Sequence, residues 1–179
     1  MTIYLCDTGP LLCFAQFPQG PGLFQARYSG RVSLISDVDN ELRGLCNSSF
    51  PPVARAANRA CGKAFNWIPR ERFNDESIEE EARVVREVID TFRNHPKGSS
   101  RREAEDWAEA VAIVVASRRQ DCVLIVNDSP AREAAKSRGV GSVSARTVLN
   151  AMERDGAIPR GQASSLCAAM VAVGIDPGE

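Results

Sequence analysis

Short apolar runs alternate with segments of helical periodicity along most of this chain. Residues 2–6 (TIYLC) read as a buried strand, the turn Asp7-Thr8-Gly9-Pro10 follows, and an apolar helix runs from Leu11 to Phe17. Pro10 suits the first turn of that helix. After a Gly/Pro-rich break (PQGPG) and a short segment LFQARYSG, RVSLI at 31–35 predicts a second strand. SDVDNELRGLC then reads as a helix with Ser36 or Asp37 at its N-cap. Residues 51–65 read as helical after the Pro pair, and NWIPRERF as a loop or a short strand.

Ile78, Ala82, Val85, Val88, Ile89 and Phe92 recur at helical spacing through 76–93, with charges on the other faces. HPKGSS breaks the chain. RREAEDWAEAVAIVVASRR predicts a helix leading into CVLIV at 122–126, the most strand-like run in the sequence. SPAREAAKSRG is a short helix stopped at Gly139, a weak strand follows at Val140–Val143, and helices near 145–155 and 160–173 finish the chain. Strands alternating with helices predict a three-layer α/β/α sandwich around a mainly parallel sheet.

Composition narrows the chemistry. The 179 residues are 44% hydrophobic and 25% charged, ordinary for one soluble globular domain. No apolar run approaches the roughly 20 residues of a membrane span, and the N-terminal run lacks a signal peptide's basic start, so an intracellular, cytoplasmic protein is expected. The six cysteines have no C-x-x-C pairing and read as reduced, mostly buried small groups. A single histidine, His95, argues against His-based catalysis or an imidazole metal site. A net charge of −1 gives no overall field to attract nucleic acid. The chemistry is left to carboxylates.

Asp7 and Asp128 each close an apolar strand and precede a helix, at the strand ends where open parallel sheets bind ligands. Each is equally an ordinary helix N-cap. Glu109 is the only charged residue in the run WAEAVAIVVAS, where burial demands a partner, a proton or a cation; the bland reading turns it outward toward Arg101 or Arg102. Asp106 and Glu105 lie one helical turn earlier. Glu41, in the helix after the second strand, is weak evidence alone. Four acidic positions on four elements, with almost no histidine and no nucleophile motif, suit a hard divalent cation such as Mg²⁺ or Mn²⁺. Thr8, Ser129 and Asn127 could orient these carboxylates, and Arg132 could reach a substrate phosphate, although a surface salt bridge is its commoner use.

The strand ending IYLCDTGPLL, the helix motif VDNEL and the run AEAVAIVVASRRQDCVLIVNDSPAREAAKSRGV resemble the PIN-domain nucleases, which include the VapC-type toxins of toxin–antitoxin pairs. ARTVLNAMERDGAIP is similar to their C-terminal helix. The resemblance covers 1–45 and 100–158 and leaves 46–99 unplaced. It implies a nuclease domain over 1–158 with a helical extension, 159–179, packed on it. It implies metal-dependent cleavage of RNA, with Asp7, Glu41, Glu109 and Asp128 as metal ligands and Asp106 as runner-up for the helix position. An antitoxin protein is then an expected partner. Two positions depart from the pattern: Ala108 replaces a frequent Gly, and Asn127 stands where many members carry a second acid beside Asp128.

The alternative from another class is a nuclease-like domain without activity that binds a protein. Leu149, Met152, Leu166, Met170 and Val173 are available for such a contact or for a homodimer, with core packing as their bland use. A metal-dependent phosphatase or DNA nuclease would draw on the same ligands.

Overall fold

The computed structural model describes residues 1–73, 75–93 and 106–179. The described elements are, in chain order, β1 (Ile3–Cys6), α1 (Thr8–Ala15), α2 (Gly20–Tyr28), β2 (Val32–Ile35), α3 (Ser36–Leu45) and α4 (Pro51–Cys61). A 3-10 turn (Lys63–Phe65) and β3 (Arg70–Glu71) lead to α5 (Glu76–Phe92) and α6 (Trp107–Ser117). Then come β4 (Cys122–Ile125), α7 (Ser129–Ser137), β5 (Gly141–Val143), α8 (Ala145–Arg154) and α9 (Gln162–Ala172). The five strands form one sheet in the order β3-β2-β1-β4-β5, every neighbouring pair parallel. Helices cover both faces, so the predicted three-layer α/β/α sandwich is the fold. HPKGSS, His95, Arg101, Arg102 and Glu105 lie outside the described residues.

The central strands are apolar enough to be buried on both faces: Val32, Ser33, Leu34 and Ile35 are all buried, as are Leu5, Cys6, Leu124 and Ile125. On one side α5, α6 and α7 pack together; α1 packs with α2, α4 and α8. Phe24 anchors an aromatic cluster with Phe14, Tyr28 and Phe65, at ring-centroid distances of 4.9, 4.9 and 5.7 Å. On the final helices Leu149, Met152 and Met170 are buried in the core, while Leu166 and Val173 are only partly buried against it. Packing therefore absorbs most of the apolar side chains that had been open to a partner.

Three local expectations change. The Gly/Pro-rich break at 18–22 opens a helix, α2, with Pro21 in its first turn. Gly20 sits so close to α1 that a Cβ there would stand 1.9 Å from the Phe14 carbonyl oxygen, so the glycine serves close packing of two helices. Neither Ser36 nor Asp37 caps α3, because helical geometry starts at Ser36 and Ile35 holds the cap position without a side-chain bond. The predicted helix over 51–65 stops at Cys61, with a 3-10 turn after Gly62.

The topology fixes where a site can form. From β1 the chain moves out through β2 and β3, then returns to place β4 on the other side of β1 and β5 beyond it. Strand order therefore reverses between β1 and β4, which opens a crevice at their carboxyl ends. Cys6 pairs with Ile125 in that register, so Asp7 and Asp128 leave the sheet at the same rim.

Candidate functional site

A cleft of about 280 Å³ opens at this rim, and Asp7, Glu41, Glu109 and Asp128 all line it. A second groove, about 400 Å³, continues past Glu41 and Leu45 toward Asp37, Asn40 and Trp107. The four carboxylates arrive on four elements: the β1–α1 junction, α3, α6 and the β4–α7 junction.

Asp7 is 7% exposed and caps α1, its Oδ2 accepting from the Gly9 N–H at 3.2 Å. Its Oδ1 is sealed from solvent with no hydrogen-bond partner. Burial pushes the Asp7 carboxyl up to about 6, against the lowering pull of the Thr8 and Gly9 backbone N–H groups and with a further push from the charge of Asp128. The N-cap role thus uses one oxygen of the carboxylate and leaves the other without a donor.

Glu109 belongs to a helix in which only Trp107, Glu109 and Ser117 escape full burial. Its Oε2 is sealed and lacks a hydrogen-bond partner. Burial drives its carboxyl well above the ordinary range, and the neighbouring charges of Asp7, Glu41 and Asp106 add to the rise. Glu41 Oε2 accepts from the Thr8 hydroxyl at 2.7 Å, which ties α3 to the first turn of α1.

Asp128 caps α7 through Oδ2, which accepts from the Ala131 N–H at 2.9 Å. The same oxygen lies 2.8 Å from Arg93 Nη2. That nitrogen also meets Asp106 Oδ1 at 2.8 Å, so one guanidinium bridges the runner-up ligand and Asp128. Asp106 is 1% exposed at the start of α6.

The remaining candidates are placed as follows. Ser129 is exposed in the first turn of α7. Asn127 faces the C-terminal segment: Nδ2 donates to the Asp176 carbonyl at 2.6 Å and to Cys13 Sγ at 3.3 Å, and Oδ1 accepts from the Ala145 N–H at 2.9 Å. Where an acid would face the site, this amide instead joins β4, α1, α8 and the tail. Arg132 donates to the Asn127 carbonyl.

Two residues of the site escaped sequence reasoning. Arg93 lies four residues beyond Ile89 and continues the buried stripe Ile78, Ala82, Val85, Ile89 of α5. That spacing was the available signal. Asp176 also lines the cleft, brought there by a tail held by Asn127, Cys13 and the Ser144–Glu179 contact. Nothing in IDPGE signals that return.

Among the described residues no group of three or more acidic, His or Cys side chains stands ready-made to hold an ion. The donor set nevertheless suits one: all-oxygen and multiply acidic, with a sealed carboxylate oxygen on each of Asp7 and Glu109 that no protein donor satisfies. A charge so placed is neutralised by a proton or by a cation.

Fold and cleft together define an α/β/α protein with an acidic cleft at the topological switch point of an all-parallel sheet. No protein-family model matches the chain, and no curated protein matches it. Among the described residues no helix is long and apolar enough to cross a membrane.

Proposed function

We propose that the chain is a Mg²⁺- or Mn²⁺-dependent nuclease that hydrolyses phosphodiester bonds of RNA. The observation that carries this reading is the convergence of Asp7, Glu41, Glu109 and Asp128 from four elements on one cleft at the β1–β4 switch point. The resemblance of IYLCDTGPLL, VDNEL and the α6–α7 region to PIN-domain nucleases supplies RNA as the substrate, and with it a toxin–antitoxin setting. A cytoplasmic location belongs to the same proposal.

Asp7, Glu41, Glu109 and Asp128 would hold the ion. When bound, it supplies Lewis-acid polarisation of a phosphate oxygen and lowers the pKa of a water. The protein's own part is to hold the donors. The Gly9 N–H fixes one oxygen of Asp7 and leaves the other facing inward. Thr8 orients Glu41, and Arg93 with the Ala131 N–H orients Asp128. The apolar body of α6 keeps Glu109 in place and excludes water behind it.

A second reading draws on Arg93. A guanidinium already set between Asp106 and Asp128 occupies the charge that an ion would use, as in a nuclease-like domain that binds a protein and does not cleave. One experiment separates the two. Purified protein is incubated with mixed RNA or single-stranded DNA in Mn²⁺, Mg²⁺ or EDTA, beside Asp7→Asn and Glu109→Gln. The nuclease reading expects RNA cleavage that EDTA abolishes and that falls at least 100-fold in both variants. Absence of cleavage, with no heat of Mn²⁺ binding by calorimetry, selects the binding module.

A further inference from the structure

Six cysteines are present and all are free thiols. Cys6, Cys13, Cys122 and Cys167 are buried; Cys46 and Cys61 are partly exposed. These two also meet. Cys46 caps the C-terminus of α3, Cys61 is the last residue of α4, and their Sγ atoms lie 3.5 Å apart across 15 residues of sequence. The contact is braced. Asn58 Nδ2 donates to the Cys46 carbonyl at 3.0 Å, and α3 packs along α4. A disulfide requires about 2.05 Å, so closing the bond asks for an approach of about 1.5 Å, within the reach of side-chain rotation.

We propose that Cys46 and Cys61 form a reversible dithiol–disulfide site, oxidised by a peroxide. One thiolate attacks a peroxide oxygen and becomes a sulfenic acid, releasing hydroxide. The other sulfur then attacks the sulfenic sulfur, the S–S bond forms, and a second hydroxide leaves. Two thiols and one hydrogen peroxide give one disulfide and two waters: each sulfur loses one electron to the peroxide bond, and the thiol protons end in the waters. Burial, and then the hydrogen bond and charge of Cys46, raise Cys61 above the ordinary thiol range, which makes its thiolate scarce and its oxidation slow at neutral pH.

The position gives the bond a consequence. α3 carries Glu41 and Leu45 into both grooves, and α4 packs on α1, which Asp7 caps. The cross-link would pin the α3 wall of the cleft to α4. This holds whether or not the chain cleaves RNA, because it rests on the sulfur contact alone.

The test treats fully reduced protein with hydrogen peroxide, blocks remaining thiols with iodoacetamide, and maps peptides before and after reduction. The expected result is one peptide pair joining Cys46 to Cys61, lighter by two hydrogens, with no disulfide between molecules. The oxidised protein melts roughly 5–10 °C higher than the reduced one, a gain reversed by dithiothreitol and absent from Cys46→Ser and Cys61→Ser. The proposal is overturned if both thiols still alkylate after oxidation, or if they end as sulfinic acids or links between molecules with no 46–61 peptide.

Discussion

The two sides of the cleft floor treat their carboxylates in opposite ways. On one side Asp7 and Glu109 each keep an oxygen sealed from water without a donor, and both carboxyls are pushed upward. On the other, Asp106 and Asp128 share the guanidinium of Arg93, and Asp128 also receives a helix N–H. Arginine thus answers Asp106 and Asp128, while burial pushes Asp7 and Glu109 toward their protonated forms. A carboxylate buried without a cationic partner takes up a proton or binds a cation. Arg93 supplies a cation to Asp106 and Asp128, and the proposed ion would supply one to Asp7 and Glu109.

The largest break in this comparison is removal of the supplied cation. Arg93→Met keeps the side-chain stem and takes away the bridge to Asp106, whose side chain is only 2% exposed. The expected loss is about 3 kcal/mol of unfolding free energy in urea denaturation. Mn²⁺ should then restore more stability to the variant than to the parent, because it replaces a missing charge. A loss below about 1 kcal/mol with no differential Mn²⁺ effect would mean that Arg93 is a surface ion pair of no consequence.

Of similar size is the effect on the side without an arginine. Asp7 rises from an ordinary 3.8 to about 6, so it is protonated in both folded and unfolded chains below pH 4 and ionised in both above pH 6. The unfolded chain ionises first. Stability is therefore full at low pH and falls as pH rises from about 4 to 6, by about 3 kcal/mol. Glu109 acts in the same direction. Asp7→Asn keeps an amide oxygen able to cap α1, yet has no charge to bury. In metal-free buffer it should be more stable than the parent at pH 7, with the difference gone at pH 4. Equal stabilities at both pH values would show that Asp7 carries no burial penalty. Carboxylates held low by arginines, such as Glu71 beside Arg119, slope the opposite way, which is why the difference between the two proteins is the quantity to read.

This contrast explains how much could be read from the chain. Asp7, Glu109 and Asp128 were legible because each is a charge in apolar surroundings, and both the strand ends and the helix run state their own burial. The parallel sheet followed from the alternation of strands and helices. Arg93 was not legible because its partner Asp128 is 35 residues away and its own helix is rich in solvated charges. The choice between a stripe residue and a surface residue is made by tertiary packing. Asp176 reached the cleft through its own backbone carbonyl, which accepts from both Asn127 and Cys13, and main-chain acceptors carry no sequence signature. The same bonds explain Asn127, whose amide serves as donor and acceptor at once, as no carboxylate could. α2 was hidden by glycines that read as a break but permit close helix contact.

The smallest expected effect tests the tie between α1 and α3. Thr8 is 3% exposed and donates to Glu41 Oε2, so it fixes the carboxylate that stands between the cleft and the neighbouring groove. Thr8→Val preserves shape and removes the donor, at a cost of about 1.5 kcal/mol, since a hydrogen bond to a charged group is lost. Thr8→Ser should recover most of it. If Glu41 works with Asp7 and Glu109, Val at this position also weakens Mn²⁺ binding several-fold in calorimetry, and Ser restores it. If Thr8 is only a packing residue, the two substitutions will rank by volume, with Ser the worse, and Mn²⁺ affinity will not follow the hydroxyl.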